Sequence, residues 1–496
     1  LTALLAALLL ASATACGEKT SGETDETEST VVSGESVTET ESTVVSGESV
    51  TETESETTPL ASLQKMDHGG YAFRMLGDTN SNWWIISLNA DEETGEIIND
   101  TVFQRKTFVE DLYNVKISLE ETTTASAQIQ KSVQSGSDEY DQVWERINTC
   151  LPMAEAGQLL DLHSVDALSF DPRWWDKNSI DAFTFNGRIF FACNDTNVHT
   201  IEGCSAMFFS KTMAEQNNLE NPYSLVREQK WTLDKMGEMM KAVAADTNGD
   251  GKRNDGDTFG LVTGIGQYLS LVDGAGTQLV YLDENADETK FVLNTASADV
   301  IDITAKVAAL LNDKSLTVIV NNDEWGRTSF YTDMALFYIM QLGTIADLRD
   351  NMENPFGVLP FPMRDEAQDY YTCCMEATAQ AMCIPQTAAA NRDVIGDVIE
   401  AMAIYSDAYL TNAYYDTTLK GKIARDEDTT EMLDLLTANR TFDYATCYGS
   451  WQVYNQYLSS VQKNGAEQLA SMTEKIQDKF NEKAAAAGEA LRNVQN

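Results

Sequence analysis

Positive charge is scarce in this chain. Its 496 residues carry 34 Lys and Arg against 78 Asp and Glu, a formal net charge of −44. Phosphate recognition needs clustered cations, so a nucleic-acid partner is excluded, and so is a basic helix lying on a membrane. Such acidity implies instead a soluble, exported, self-repelling surface. Histidine is scarcer still, with only His68, His163 and His199. No HExxH, GxSxG or GxxxxGK[ST] occurs, which removes the zinc-peptidase, nucleophile-elbow and P-loop signatures. CxxC is missing too. Acidic pairs are so common here that they neither locate nor remove a glycosidase dyad.

What is present begins with "LTALLAALLLASATAC", an apolar run ending in small residues and Cys16. It has signal-peptide length and is too short for a stable span. Ala13, Thr14, Ala15 and Cys16 resemble a bacterial lipobox, with Ala13 where Leu is usual. The implied form has residues 1–15 removed and a diacylglyceryl thioether on Cys16; a plain secretory signal is the alternative. From Gly17 to Thr58 there are twelve acidic residues and one lysine. "ETESTVVSGESVT" occurs at 26–38 and again at 39–51. Such a segment buries too little apolar surface to offset its ordering entropy, so 16–65 reads as an extended tether. The seven remaining cysteines are an odd number, and Cys373 and Cys374 are adjacent. Buried thiols are expected, not a disulfide scaffold.

The globular part has a chain long enough for two lobes. "GGYAFRMLGD" (69–78) alternates like a strand, "TVFQRKTFVEDLYNV" (101–115) has helical spacing, and "VKISLEE" (115–121) alternates again. Strands alternating with helices imply an α/β class with a mostly parallel sheet. Thr232 is expected to cap a helix with Asp234 in its first turn. Leu233, Met236, Met239, Met240, Val243 and Ala244 share one face of that helix, a core stripe.

"DTNGDGKRNDGD" (246–257) has EF-hand spacing. Asp246, Asn248, Asp250, Asn254 and Asp257 fall at loop positions 1, 3, 5, 9 and 12, Gly251 at 6, and the Lys252 carbonyl at 7. Hard oxygens at this spacing suit one calcium ion. Position 12 is Asp where Glu is usual, as in dockerin-type loops; a solvated acidic turn is the alternative. "FGLVTG" follows and reads as a strand, so the unit is helix–loop–strand. A single ion there is expected to act as a structural clip.

Aromatics crowd segments that read as loops: Trp83 and Trp84 in "SNWW", Trp174, Trp175 and Asp176 in "DPRWWDKN", Trp325 in "NNDEWGR". Trp144 ends "YDQVW". Flat rings beside carboxylates suit a sugar, whose C–H faces stack while its hydroxyls hydrogen-bond. For any one Trp, a core anchor is the plain alternative.

The tether, the α/β body and three runs together resemble the family 1 extracellular solute-binding proteins, in their clostridial form. The runs are "AMFFSKTMAEQNNLENPYSLVREQKWTLDKM", "DTNGDGKRNDGDTFGL" and "YYDTTLKGKIARDEDTTEMLDLL". The resemblance covers roughly 66–496. It implies a two-lobed periplasmic-binding-protein-like fold (type II) with crossover strands. Lobe one would take 66–195 and 325–375, and lobe two 196–324 and 376–496. Hinges would fall near "ACND", "NNDEW" and "TCCMEA". The implied function is non-catalytic capture of a solute, most often an oligosaccharide, for the permease subunits of an ABC importer. The implied protein is monomeric and lipid-anchored on the outer face of a Gram-positive cell membrane. Proximity to the crossings makes Trp83, Trp84, Trp144, Trp174, Trp175, Trp325 and Tyr414 the stacking candidates. Asp176 and Asp195 would accept hydroxyl hydrogen bonds. A secreted glycoside hydrolase and a calcium-stabilised adhesin are the competing functions.

Overall fold

Alternating apolar positions from Tyr71 onward place one face of each early strand inward. The computed structural model describes residues 59–80, 88–254, 256–285, 288–320, 323–415, 417 and 427–494. In chain order the strands that build its two larger sheets and the link between them are these. β1 is Tyr71–Asp78, β2 Val115–Thr122, β3 Gln142–Arg146, β4 Phe191–Ala192, β5 Ser205–Ser210 and β6 Phe259–Gly264. β7 is Thr317–Val320, β8 Ala335–Gln341, β9 Phe356–Leu359, β10 Cys373–Cys374, β11 Gln380–Cys383 and β12 Arg440–Thr441.

One sheet has the order β2-β1-β3-β11-β4 and the other β9-β5-β8-β6-β7. β1 runs parallel to β2 and β3, while β11 is antiparallel to β3 and β4. β6, β7 and β8 are mutually parallel, and β5 runs against β8 and β9. The helix Ile97–Tyr113 returns the chain from β1 to β2, as a parallel pair requires. Arg392–Tyr405 packs against that helix, with Phe108 and Tyr405 centroids 5.2 Å apart.

The lobe boundaries differ from the sequence expectation. β8 and β9, expected in lobe one, pair in the second sheet, and β11, expected in lobe two, pairs in the first. Lobe one is therefore built on 71–192 and 380–405, and lobe two on 205–359. "NNDEW" is not a crossing. Residues 321 and 322 lie outside the described residues, but β7 before them and β8 after the helix Asp323–Tyr331 belong to the same sheet. Crossings do occur at the other two places: 193–204 carries β4 to β5, and the segment after β10 leads to β11. A third lies after Tyr405, where Ser406–Thr411 is wound as a π-helix.

The helix Leu233–Val243 forms as expected. Thr232 Oγ1 accepts from the Lys235 N–H at 3.3 Å, and Leu233, Met236, Met239, Met240 and Val243 are all buried. The seven cysteines of the described residues are free and buried. Among the described residues no helix is long and apolar enough to cross a membrane.

Candidate functional site

Parallel α/β sheets offer their strand C-termini to ligands. Here the registers bring both sets of C-termini to the same region. β11 starts beside the end of β3, with Gln380 opposite Arg146, and β5 starts beside the end of β8, with Ser205 opposite Gln341. The first two crossings join these same ends: Cys204 bridges Met375, and the Ile147 and Asn148 N–H groups donate to the Ala379 and Ala377 carbonyls.

Polar side chains gather there on buried strand ends. Arg146 Nε lies 3.3 Å from Asp78 Oδ2 and 3.6 Å from Glu145 Oε1. The Arg146 side chain keeps 30% of its exposure, while both carboxylates keep 1%. The guanidinium thus bridges two buried anions and still faces solvent. Asp78 also accepts from the Asn80 N–H at 3.2 Å, and Glu145 Oε2 from the Ser126 N–H at 3.1 Å. Burial, then the Asp78 charge, pushes the Glu145 carboxyl above its ordinary range. Across the region Gln341 Nε2 donates to Glu376 Oε2 at 3.1 Å, and burial raises Glu376 as well. Gln380 links the two sides of the floor: its amide donates to the Asp78 carbonyl, and its Oε1 accepts from Asn197 at 2.9 Å. His199, in the first crossing, is held neutral, its pKa lowered by burial to about 3. This arrangement can hydrogen-bond a hydroxylated ligand from both lobes.

The aromatic candidates behave differently. Trp83 and Trp84 lie in 81–87, outside the described residues. Trp325 belongs to the helix Asp323–Tyr331, inside lobe two. Trp144 is 0% exposed and packs into the lobe-one helix layer with Phe73 and Met75. Trp174 and Trp175 are 5% and 1% exposed, and both indole N–H groups donate to one carboxylate, Glu400, at 2.8 and 2.9 Å. Rings so placed have no face to offer a sugar in this structure; they anchor the core. Tyr414 is likewise fully buried, its hydroxyl side beside Glu202 of the first crossing.

Asp176 and Asp195 sit at the hinge, not at the strand ends. Asp176 Oδ1 caps the helix Lys177–Phe183, accepting from Asn178 N–H at 3.0 Å, and its Oδ2 lies 3.5 Å from Arg440 Nη1. Burial pushes Asp195 up to about 8 despite Arg440 nearby. Sequence reasoning missed Asp78, Glu145, Arg146, Gln341 and Glu376. The available signal was a charged or amide residue ending an apolar strand, as in "YDQVWER".

The loop 246–257 joins Leu233–Val243 to the N-terminal end of β6, opposite the Gly264 end that faces the polar cluster. Its base is closed by paired backbone hydrogen bonds between Ala245 and Thr258. Asp246 accepts from the Gly249 and Gly251 N–H groups, both at 2.8 Å, and those glycines have φ of 71° and 74°. Asp257 is buried and accepts from Thr247 and Asn254 N–H at 3.0 and 2.9 Å; the Asn254 bond leads in lowering its pKa. Asn254 Nδ2 donates to Asp250 Oδ2 at 2.8 Å. The loop is folded on its own N–H groups, and among the described residues no three His, Cys, Asp or Glu side chains converge for a metal. An ion would have to replace the Asn254 amide among the oxygens.

A groove of about 830 Å³ runs along the free edge of β7, between Arg253, Phe259, Tyr268 and Lys314. None of the residues lining it belongs to the polar cluster.

No family model matches the chain, and no curated protein matches it. Solved structures do. A family 1 extracellular solute-binding protein from Bifidobacterium longum subsp. infantis is 13% identical with a TM-score of 0.54, covering 83% of this chain and 100% of its own. An ABC substrate-binding protein from Listeria monocytogenes, in complex with cycloalternan, is 12% identical with a TM-score of 0.51, covering 85% and 100%. The maltose/maltodextrin-binding domain from Bdellovibrio bacteriovorus, bound to maltotriose, is 13% identical with a TM-score of 0.51, covering 83% and 99%. The chain has the two-lobed α/β fold of these solute-binding proteins.

Proposed function

We propose that this chain, with the fold of the family 1 extracellular solute-binding proteins, captures a carbohydrate between its lobes and delivers it to an ABC importer. The supporting observation is the convergence of strand C-termini from both sheets on Asp78, Glu145, Arg146, Gln341 and Glu376. The polar cluster supplies hydrogen bonds from both sides, so a ligand there favours lobe closure over the open form. The sugars bound by the Listeria and Bdellovibrio proteins support the ligand class. In this reading the chain is monomeric and non-catalytic. Cys16 carries the lipid, and the body stands off the outer face of the cell membrane on its acidic tether.

The test is thermal unfolding against a panel of oligosaccharides. A sugar at about a thousand times its dissociation constant adds roughly 4 kcal/mol, raising the midpoint by several degrees. One sugar class should do so and be recovered intact. Turnover of the sugar would instead make Glu145 and Asp78, a raised carboxyl beside an anion, the first residues to examine as a hydrolase pair. No shift with any sugar would reject the carbohydrate.

Calcium in the loop 246–257 is also proposed, held by Asp246, Asn248, Asp250, the Lys252 carbonyl, Asn254 and Asp257. The loop lies at the far end of β6 from the cluster, so the ion would brace lobe two without touching ligand. EDTA should therefore lower the melting midpoint, calcium should restore it, and sugar affinity well below melting should stay unchanged. A midpoint indifferent to both would leave the loop as a self-closed turn; lost affinity would refute the brace.

A further inference from the structure

Arg105 is a buried cation that reaches out of lobe one. It lies on the helix Ile97–Tyr113 and is 1% exposed. Nη1 donates to the Thr196 carbonyl at 2.7 Å and to Ser406 Oγ at 2.9 Å. Thr196 belongs to the first crossing, and Ser406 opens the π-helical turn of the third. Nη2 donates to the Leu88 carbonyl at 2.7 Å, which fixes the fork to lobe one. A guanidinium presents its donors in one rigid plane, so it can hold two segments at a set spacing where an ammonium cannot.

Neighbouring bonds extend the same grip. The Thr196 N–H donates to Asn194 Oδ1 at 3.0 Å, and Asn197 Nδ2 to Gln380 Oε1, at the start of β11, at 2.9 Å. Ser406 Oγ donates in turn to the Met402 carbonyl at 2.7 Å, inside the helix Arg392–Tyr405. Beyond these points the partners change. The Thr200 carbonyl accepts from Arg440 Nη1 at 2.6 Å, and the Gly203 carbonyl from the Glu376 N–H of the second crossing at 2.9 Å. The Cys204 carbonyl accepts from the Leu342 N–H, just after β8, at 2.7 Å. In the third crossing the Thr417 carbonyl accepts at 2.9 Å from Arg349 Nη1, on the lobe-two helix Ile345–Asn351. Lobe one thus holds the first crossing through Asn197 and the third through Ser406. Between the two sets of grips lie the single helical turn His199–Glu202 and the π-helical turn Ser406–Thr411.

We propose that Arg105 is the positioning residue of the hinge. One guanidinium ties the lobe-one ends of the first and third crossings together, so both move with lobe one as a single piece. Bending is left to the turns 199–202 and 407–411. A π-helical turn within a longer helical stretch is a place where a helix kinks, which suits that role. The consequence for capture rests on the proposed function: with two crossings kept in step, the lobes close along one path onto the strand ends.

The test is hydrogen exchange on the ligand-free protein, comparing the wild type with Arg105→Met, Arg105→Lys and Ser406→Ala. Loss of a hydrogen bond from a charged donor should speed exchange roughly tenfold or more in the segment it held. Arg105→Met should do this in 193–197 and 402–406 together, while 205–210 and 335–341 in lobe two keep wild-type rates. Arg105→Lys keeps the charge without the fork and should fall between. Ser406→Ala should loosen 402–411 and leave 193–197 unchanged. Removing one hydroxyl is mild, so this variant and Arg105→Lys decide if Arg105→Met does not fold. A merely structural Arg105 would instead loosen the lobe-one strands 71–78 and 142–146 as much as the crossings. That pattern, a response in only one crossing to the Arg105 variants, or a third crossing indifferent to Ser406→Ala would overturn the proposal. Because the readout needs no sugar, a chain that binds none can still show the joint response. In that case the carbohydrate reading fails and the hinge stands.

Discussion

Glu400→Leu should lower the melting midpoint by roughly 5 °C. Glu400 is 7% exposed on the helix Arg392–Tyr405. Its two oxygens accept from Trp174 Nε1 and Trp175 Nε1, and Ser169 donates to one of them as well. Leucine fills the space but accepts nothing, so the two buried indole donors lose their partner, while exposed Ser169 can turn to water. Each unmet donor costs about 1–3 kcal/mol, or roughly 4 kcal/mol together after local relaxation. For the single compact unit formed by residues 57–496, that corresponds to a shift near 5 °C. Glu400→Gln keeps one acceptor and should lose about half as much. The competing effect is relief from burying a carboxylate, which can make apolar replacements neutral. It loses here because the two indole donors remain buried. Scanning calorimetry of the three proteins settles it. A Leu variant that melts like the wild type would mean that the indoles are not held by this carboxylate, and would return Trp174 and Trp175 to the stacking candidates.

That pair shows where the sequence was legible and where it was not. "DPRWWDKN" announces two aromatics and an acid, but not which way they face. The acid that decides their orientation is Glu400, more than two hundred residues away. Local signals worked where local physics decides: the strand periods of β1 and β2, the Thr232 cap, and the methionine stripe of Leu233–Val243. Lobe assignment failed because strand pairing is non-local. "MALFYIMQL" is equally apolar in either sheet, and only the crossover helix 323–331 places it beside β6. The polar cluster was overlooked for the same reason. Asp78, Glu145 and Arg146 look like ordinary surface charges until β1 and β3 are paired and β11 is laid against them.

Arg146→Ala should cut the sugar-induced rise in melting midpoint by roughly a third to two thirds, at about a thousand times the wild-type dissociation constant, while leaving a folded protein. The guanidinium is the most accessible part of the cluster and the one with spare donors for ligand hydroxyls. Hydrogen bonds from a charged group contribute about 1.5–3 kcal/mol, so affinity should fall roughly ten- to a hundredfold. A general loss of stability would mimic this result, and pH separates the two. In the wild type Arg146 offsets both Asp78 and Glu145. Without it the two carboxylates face each other, and the Glu145 carboxyl, already raised by burial and by Asp78, rises further. A folded-state pKa above the unfolded one gives stability that is complete below the unfolded value and is lost as pH rises through the folded value. The ligand-free variant should therefore melt close to the wild type near pH 4 and fall progressively behind it toward neutral pH. Loss of sugar response at acidic pH, where the fold is intact, can then come only from the missing contact. An undiminished response there would remove Arg146 from the binding site, and with it the argument that these strand ends hold the ligand.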